Sequence, residues 1–463
     1  MKRELGSSLS HRIRTQLERD LRTDPGILIL AYPYARTWSA VGPERVRDTW
    51  AEVGDDPAAV YVHVPFCRRK CTFCDFLAYY GRPAEEMDSY VRLVCAEIDL
   101  VAPYVTHVEI DAVHIGGGTP SLLTPSQLGQ LLDALRGSFR VRAGAQVTME
   151  AFPDERITLE EIKAWRDLGI NRLSYGIQFF DDELKREANR TDTTTDNLRL
   201  IENTLEAGFD DVNLDLMCGM PNQPMASWEA TLDLALELKP SHVCIFPVSV
   251  RHPGIPLFRK RDTLPPPDET RRMWNTAATA LRAAGYTRTT RHNFMRPGFK
   301  YRYEHMIAHL APLIALGANS VGYSMDCIYR NHSGLARYAA AIQDGLWPVR
   351  AAHFFVGTDR LHNYAVRRIE YLRLYGQDFG NRFGMKLEDA LPTQIETLVQ
   401  MGLARLVNQN LFLTEDGVYY TSAVKRALFH PSAWDRFEGM AAAELTLERS
   451  TLTQKEEPER CTT

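Results

Sequence analysis

Three of the chain's eight cysteines lie within eight residues of one another. Cys67, Cys71 and Cys74 form a Cys-x3-Cys-x2-Cys cluster, and in a reducing compartment such spacing indicates metal binding rather than disulfides. A zinc site with a remote fourth ligand is one alternative, but the paired Cys-x2-Cys arms typical of structural zinc are missing. An iron–sulfur cubane held by three thiolates would leave one iron open to a substrate or cosubstrate.

Other groups able to bind a ligand follow apolar, strand-like segments. Gly117 and Gly118 lie in a glycine turn that would let the backbone approach a ligand closely, although an ordinary strand–helix turn has the same composition. Glu150 ends an apolar strand, where a carboxylate needs a cation; a salt bridge to a helix is the alternative. Gln178 and Asp215 would accept hydrogen bonds from a ligand's hydroxyls, unless they serve the core.

Alternating strand and helix patterns position these residues. Six runs rich in β-branched residues predict strands at Ala59–Val64, Ala112–Ile115, Gln146–Glu150, Arg172–Gln178, Asp211–Leu216 and His242–Val248. Apolar spacing predicts helices at Glu85–Val101, Pro125–Leu135, Leu159–Leu168, Thr194–Ala207, Trp228–Leu238 and Asp268–Ala284. This alternation favours an α/β fold, a partial (β/α)6 barrel whose chemistry lies at the carboxyl ends of its strands. The cysteines, the glycine turn, Glu150, Gln178 and Asp215 all lie near such ends.

The rest of the chain divides around this barrel. We expect an N-terminal extension over residues 1–54, the barrel over 55–300, and a connecting, substrate-covering segment over 301–370. Residues 371–450 predict a small α+β winged-helix-like domain in which Asp416-Gly417 forms a turn, and residues 451–463 a disordered polar tail.

Composition excludes several classes of protein. The 463 residues carry 54 Lys and Arg against 59 Asp and Glu, a net charge of −5, so no global basic field attracts nucleic acid or an anionic membrane. The apolar runs are too short or too interrupted to span a bilayer, and the N-terminus lacks the apolar region of a signal peptide. We therefore expect a cytoplasmic protein.

The segment from Tyr61 to Phe76 resembles the signature of the radical S-adenosylmethionine (SAM) superfamily. Together with His114–Leu123, Tyr175–Phe180 and Asn213–Pro221, it resembles the oxygen-independent coproporphyrinogen III oxidase (HemN)-like family over residues 55–430. The resemblance implies that the three cysteines hold a [4Fe–4S] cluster whose free iron binds SAM. Reductive cleavage of SAM would then yield a 5′-deoxyadenosyl radical, with the electron supplied by a donor such as flavodoxin or ferredoxin.

The resemblance also implies a set of residues that contact SAM or shield the cluster. Glu150, Gly117, Gly118 and Thr119 are expected near the SAM amino group, Arg190 near its carboxylate, and Gln178 and Asp215 near the ribose. The remaining expected contacts are Tyr61 and Phe73.

The reaction is a separate question, for which the family offers three answers. Porphyrinogen oxidases carry a further cysteine two residues after the last ligand, where this chain has Phe76. The Cys-x-Phe pattern resembles heme chaperones and class C radical SAM methyltransferases, but the chaperones' His-Asn-x-x-Tyr-Trp motif is absent. By elimination, we predict methyl or methylene transfer from a second SAM to an sp2 carbon of an aromatic or heteroaromatic substrate in specialised metabolism. The product would be a C-methylated or cyclopropanated compound, in some relatives with the help of a separate methyltransferase.

Oxidative decarboxylation of coproporphyrinogen and non-catalytic heme carriage remain the alternatives. No residue identifies itself as a general base. Arg68–Lys70, inside the cysteine cluster, would tune the cluster potential or dock a reductant, unless they are simply solvated. His292, His305 and His309 follow the barrel and are expected to contact substrate, although a lone histidine is more often structural.

Overall fold

A computed structural model describes residues 2–23, 32–250 and 254–434. Its centre is a set of six strands, each paired in parallel with the next one along the chain. These barrel strands are Ala58–Val64, Glu109–Gly117, Arg140–Ala151, Arg172–Gln178, Val212–Cys218 and His242–Pro247. The predicted α/β fold with a partial (β/α)6 barrel is confirmed, and with it the convergence of the strands' carboxyl ends on one face.

Helices cover the outside of the barrel. They are Ala84–Val101, Pro125–Ser138, Leu159–Asp167, Asp182–Glu187, Thr194–Glu206, Met225–Glu237 and Pro267–Ala283. Thr124, Thr158 and Thr193 each begin a helix with a capping box, because the threonine hydroxyl accepts from the N3 backbone N–H while the N3 side chain accepts from the cap. Local sequence chemistry therefore fixes where these helices start.

The sheet continues beyond the six predicted strands. Leu313–Leu316 pairs in parallel with the first barrel strand and leads into further antiparallel strands. On that side the added strands are Val321–Tyr323, Cys327–Asn331, Val349–Phe354 and Ser39–Ala40, and on the other side they are Asn293–Met295 and Thr287–Arg288. The part of the chain that the structure describes thus forms one sheet of 13 strands.

The described residues of the predicted N-terminal extension are largely helical. Helix Lys2–Thr23 packs against the C-terminal module, where Asp20 forms a buried ion pair with Arg426 at 2.7 Å. The remaining elements before the cysteine loop are helix Pro43–Asp48 and the 3-10 turns Ala35–Thr37 and Thr49–Glu52. Later connections contain helices Arg302–Ala308 and Leu335–Gln343 and the 3-10 turns Ala102–Tyr104, Pro120–Leu122, Pro256–Thr263 and Ile369–Tyr371.

The C-terminal module combines helices with a small antiparallel sheet. Its helices are Asp359–Arg368, Gly376–Phe383, Leu387–Ala390, Pro392–Gln400, Glu415–Tyr419 and Thr421–Ala427, and its strands are Arg373–Leu374, Ala404–Val407 and Asn410–Leu413. The predicted turn at Asp416-Gly417 is wrong: both residues lie in a short helix capped by the Thr414 hydroxyl, which accepts from Gly417 N at 3.1 Å. The hairpin turns instead at Asn408 and Gln409, with φ of 49° and 65°.

No helix in the described ranges is long and apolar enough to cross a membrane. The predicted polar tail, residues 451–463, lies outside the described residues. The domain boundaries proposed from the sequence stay predictions.

Candidate active site

The three clustered cysteines lie on a loop that leaves the carboxyl end of the first barrel strand. The loop is closed at its base, because the short strand Phe66–Cys67 pairs with Tyr79–Tyr80 and Gly81 N donates to Cys67 O at 3.1 Å. Cys74 N donates to Cys71 O at 3.2 Å, which makes a tight turn between the second and third cysteines. All three thiols are half-buried, so the loop presents them at the barrel mouth rather than to bulk solvent.

Burial and a hydrogen bond act in opposite directions on the Cys67 thiol. Burial raises the pKa of Cys67 to about 11, and the nearby Cys74 and Cys71 raise it too. The Thr119 hydroxyl, 3.3 Å from Cys67 Sγ, acts in the opposite direction. Thiolates in such a place need a strong positive charge beside them, and iron supplies one.

Arg190 is buried beside the cysteine loop. Its Nε lies 2.9 Å from Asp192 Oδ1, its Nη2 donates to Gly176 O at 2.7 Å, and its Nη1 lies 4.0 Å from Cys71 Sγ. Burial raises the pKa of Asp192, but Arg190 and Lys185 outweigh it and leave that pKa below its usual value. The guanidinium is therefore held rigidly at the site and is not an exposed helix residue.

The glycine turn packs against the first barrel strand. A Cβ on Gly118 would lie 2.6 Å from Phe66 O, and a Cβ on Gly117, whose φ is 119°, would lie 2.6 Å from His63 Nδ1. Gly118 N also donates to Val64 O at 2.8 Å. The two glycines are thus required by the protein's own packing next to the cysteine loop, whatever ligand lies above them.

Glu150 is held from two sides at the barrel mouth. Its Oε1 lies 2.9 Å from His114 Nε2, and its Oε2 accepts from Gly117 N at 3.0 Å. Burial alone raises the pKa of Glu150, but these hydrogen bonds and the histidine lower it below the usual value. Its side chain keeps 41% of its surface exposed, so a fixed carboxylate remains open to a cationic ligand.

The partner of Glu150 is a histidine that the sequence alone did not predict as a site residue. The imidazole of His114 stacks with Tyr61, at 5.7 Å, and with Tyr303, at 4.7 Å between ring centroids, and the two tyrosine rings lie 6.1 Å from each other. Its Nδ1 lies 2.9 Å from the Tyr301 hydroxyl. Tyr61, an expected SAM contact, also hydrogen-bonds His63 Nδ1 at 3.0 Å. The only sequence signal for His114 was its place two residues before the glycine turn.

Gln178 ends the fourth barrel strand, whereas Asp215, expected near the end of the fifth, lies at the middle of strand Val212–Cys218. Gln178 follows a bulge in its strand and adopts a φ of 69°, which is rare for a residue with a side chain. Asp215 accepts from Asn213 Nδ2 at 2.8 Å, and burial raises its pKa to about 6. Both side chains are half-buried, as expected of groups that line a site rather than the core.

Phe73 and the three histidines that follow the barrel contact groups in their own neighbourhood. Phe73 packs on a small apolar cluster that contains Ile255 and Leu257. His292 Nδ1 lies 2.8 Å from Ile245 O, whereas the rings of His305 and His309 contact each other at 3.8 Å between centroids, tilted by 33°. Substrate contact by these histidines stays a prediction.

The donor set fits an iron–sulfur cluster with bound SAM. Three half-buried thiols share one loop, Glu150 offers an open carboxylate, and Arg190 offers a guanidinium beside Cys71. Within the described residues, no three His, Cys, Asp or Glu side chains are arranged to hold a single metal ion, and the thiols of a cubane bind three different irons.

A three-cysteine loop at the mouth of a partial α/β barrel defines a radical SAM enzyme, and residues 61–235 match the radical SAM superfamily. This superfamily implies a [4Fe–4S] cluster and SAM as cofactors.

Within the superfamily the chain is similar to members of the HemN-like family. It is 27% identical over 394 residues to the oxygen-independent coproporphyrinogen III oxidase of Bradyrhizobium diazoefficiens, covering 80% of this chain and 86% of the relative. It is 25% identical over 364 residues to the heme chaperone HemW of Bacillus subtilis, covering 78% of this chain and 96% of the relative. The structure of coproporphyrinogen III oxidase (HemN) from Escherichia coli shares the fold, with a TM-score of 0.78 at 23% identity, over 86% of this chain and 96% of that chain.

The prediction of methyl or methylene transfer is wrong. The relatives that align with about four fifths of the chain are named coproporphyrinogen III oxidases or heme chaperones, which agrees with the alternatives weighed from the sequence. That prediction relied on the residue at position 76 and on one missing motif. Two local differences of this kind weigh less than a sequence similarity that extends through the barrel and beyond it.

Proposed function

We propose that the chain is an oxygen-independent coproporphyrinogen III oxidase-type enzyme, which converts propionate side chains of a tetrapyrrole into vinyl groups. The observation that supports catalysis most directly is the set of polar side chains around the cysteine loop. Glu150 is fixed by hydrogen bonds with 41% of its side chain exposed, and Arg190 is fixed in the same way beside Cys71. Fixed groups of this kind are what a catalytic site requires to hold a reactant in one geometry.

We assign the cofactors to residues by combining the geometry with the family resemblance. Cys67, Cys71 and Cys74 would hold the cluster. Glu150 with the glycine turn would bind the amino group of SAM, Arg190 its carboxylate, and Gln178 with Asp215 the ribose. When bound, the cluster and SAM together supply a carbon-centred radical that removes hydrogen from an unactivated carbon.

The protein's own contribution is to fix charges and orientation. Because the pKa of Glu150 is lowered, its carboxylate is ionised at neutral pH and attracts an ammonium group. Arg190 cannot turn away from the site, since Asp192 and Gly176 hold two edges of its guanidinium. Preorganised contacts of this kind hold a reactant in one geometry at little entropic cost at the moment of reaction.

The chemistry balances as an oxidation of each propionate. One hydrogen atom leaves the carbon next to the pyrrole ring, the carboxylate leaves as carbon dioxide, and one electron passes to a one-electron acceptor. The two remaining side-chain carbons become a vinyl group. An acceptor is therefore needed in addition to SAM.

Heme binding without turnover is the second candidate. Phe76 completes a Cys-x-Phe pattern that resembles heme chaperones, and relatives with that name align along nearly their whole length. The absence of the His-Asn-x-x-Tyr-Trp motif speaks against it.

One experiment separates the two candidates. Anaerobically reconstituted protein is incubated with SAM, a reductant and coproporphyrinogen III, with the Cys71→Ala variant as control. We expect vinyl-bearing tetrapyrroles, carbon dioxide, methionine and 5′-deoxyadenosine from the wild type alone. Stoichiometric heme binding without 5′-deoxyadenosine would support the chaperone, and SAM cleavage with unchanged tetrapyrrole would refute the proposed substrate.

A further inference from the structure

A basic surface borders the cysteine loop of an otherwise acidic chain. Residues 68–76 and 254–263 contain six Lys and Arg but only two Asp, a net charge of +4, whereas the whole chain carries −5. We call the six cations the basic patch: Arg68, Arg69, Lys70, Arg259, Lys260 and Arg261. The first three lie between the cysteines, and the other three come from the segment after the sixth barrel strand.

The two halves of the patch are joined by direct contacts. Leu257 N donates to Thr72 O at 2.8 Å, and Lys70 Nζ donates to Gly254 O at 3.1 Å. Below these bonds, Ile255 and Leu257 are buried in the apolar cluster on which Phe73 packs. The segment 254–263 is therefore held against the cysteine loop, and its cations form one surface with those of the loop.

Much of this charge is not neutralised within the protein. Arg69, Arg259 and Lys260 make no ion pair with any residue in the described ranges, and all three are exposed. Arg68 does pair with Asp154 at 3.2 Å. The side chain of Phe76, two residues after the last cysteine, is 56% exposed. Arginine and aromatic side chains are both enriched at protein-binding surfaces.

We infer that the basic patch docks an acidic one-electron carrier protein, which delivers the electron that SAM cleavage requires. This inference rests on the part of the proposed function that places a [4Fe–4S] cluster on Cys67, Cys71 and Cys74, and not on the tetrapyrrole substrate. One electron leaves the reduced carrier and enters the oxidised cluster, and no atom or proton needs to move with it. Electron-transfer complexes are small and electrostatically steered, which suits a patch of six cations.

The position of the patch favours this partner over other polyanions. Three of the six cations lie between the cluster ligands themselves, so a carrier docked there approaches the metal site directly. An extended polyanion such as nucleic acid, or an anionic bilayer, would also face the acidic remainder of the chain, which carries −9 outside the two segments.

A pair of charge reversals tests the inference. Arg259→Glu with Lys260→Glu lowers the charge of the patch by four without changing a cysteine. The matched control, Arg140→Glu with Lys239→Glu, makes the same change at exposed positions next to the amino ends of the third and sixth barrel strands, the opposite end of the barrel. Calorimetry with a purified acidic flavodoxin, on cluster-free and reconstituted full-length protein, measures docking without turnover. We expect the patch variant to bind about tenfold more weakly at low salt, with little difference at high salt, and the control to match the wild type.

Reduction kinetics provide a second readout. The patch variant should be reduced about tenfold more slowly by reduced flavodoxin, yet as fast as the wild type by dithionite, which needs no docking surface. Equal flavodoxin rates in patch variant and wild type would overturn the inference. So would binding of the patch to phosphatidylglycerol vesicles or to a DNA duplex but not to flavodoxin. Neither readout involves a tetrapyrrole, so failure of the proposed substrate leaves this test intact.

Discussion

His114 Nε2 lies 2.9 Å from Glu150 Oε1, and the opposite nitrogen of the same imidazole lies 2.9 Å from the Tyr301 hydroxyl. The segment after the barrel thereby reaches the carboxylate that faces the proposed SAM site. Tyr61 and Tyr303 also stack with the ring, and the hydrogen bonds at both nitrogens limit its rotation. His114 is a positioning residue: it orients Glu150 and does not itself face the opening.

Replacing His114 tests this role. We expect His114→Phe to keep the aromatic stack but to weaken SAM binding about tenfold, about 1.4 kcal/mol, since one oxygen of Glu150 loses its partner. His114→Gln, which can still donate to Glu150, should recover part of the affinity. Equilibrium binding of SAM to reconstituted protein measures the effect, and unchanged affinity in His114→Phe would rule out the positioning role. Thermal unfolding of the three proteins separates a loss of orientation from a loss of folding.

A methyl group on the glycine turn should disturb the cysteine loop. In Gly118→Ala the new Cβ would meet Phe66 O at 2.6 Å, a backbone atom that cannot yield without moving Cys67. We expect the variant to incorporate much less iron and sulfide on reconstitution. Gly137→Ala is the matched control, because that glycine ends a helix in open space and alanine should stabilise the helix there by up to about 1 kcal/mol. Wild-type iron content in Gly118→Ala would contradict the prediction.

Arginine at position 190 should not be replaceable by lysine. A lysine keeps the charge but cannot hold Asp192 and Gly176 O while also pointing an N–H toward Cys71. We expect Arg190→Lys to lower the free energy of unfolding by about 1–3 kcal/mol and to lower the cluster's reduction potential, since hydrogen bonds toward ligand sulfur raise it. Urea unfolding of the apoprotein measures the first effect and a redox titration followed by electron paramagnetic resonance the second. A variant equal to wild type in both would show that only the charge matters.

The buried carboxyl of Glu97 should make stability depend on pH. Burial raises its pKa from 4.5 to about 7, although hydrogen bonds from Gly317 N, Tyr338 and Asn331 limit the rise. A carboxyl whose folded-state pKa is raised contributes stability fully below the unfolded pKa and loses it as pH rises through the folded one. The wild type should therefore lose about 3 kcal/mol from this group between pH 4.5 and pH 7. Glu97→Gln should lack that loss. Urea unfolding of both proteins at several pH values across this range measures the difference. An equal pH dependence of the two free energies of unfolding would contradict the prediction.

Sequence patterns predicted the barrel well because its strands and helices are long and locally signalled. Strand Arg172–Gln178 matches its prediction at both ends, and the helix from Pro125 begins where Thr124 caps it. Strand Leu313–Leu316 was missed, since four consecutive apolar residues give no period to detect.

The sequence predicted the site residues that lie in motifs. It did not predict the contacts that depend on how strands pair and how distant segments pack. The cysteines and Glu150 stood out as residue types in unusual places. The pairing of His114 with Tyr61 across two strands, and the approach of Tyr301 from 187 positions away, depend on tertiary contacts that no local pattern contains. The hairpin at Asn408-Gln409 was missed for a different reason: Gln409 is an unusual choice for a left-handed turn position.

The added strands determine which strands form the edges of the large sheet. The first barrel strand, which leads into the cysteine loop, has neighbours on both sides, and the sheet ends instead at Ser39–Ala40 and Thr287–Arg288. Each margin is only two residues long, too short to template the addition of a strand from another molecule. The sheet is thereby guarded against edgewise aggregation through these margins.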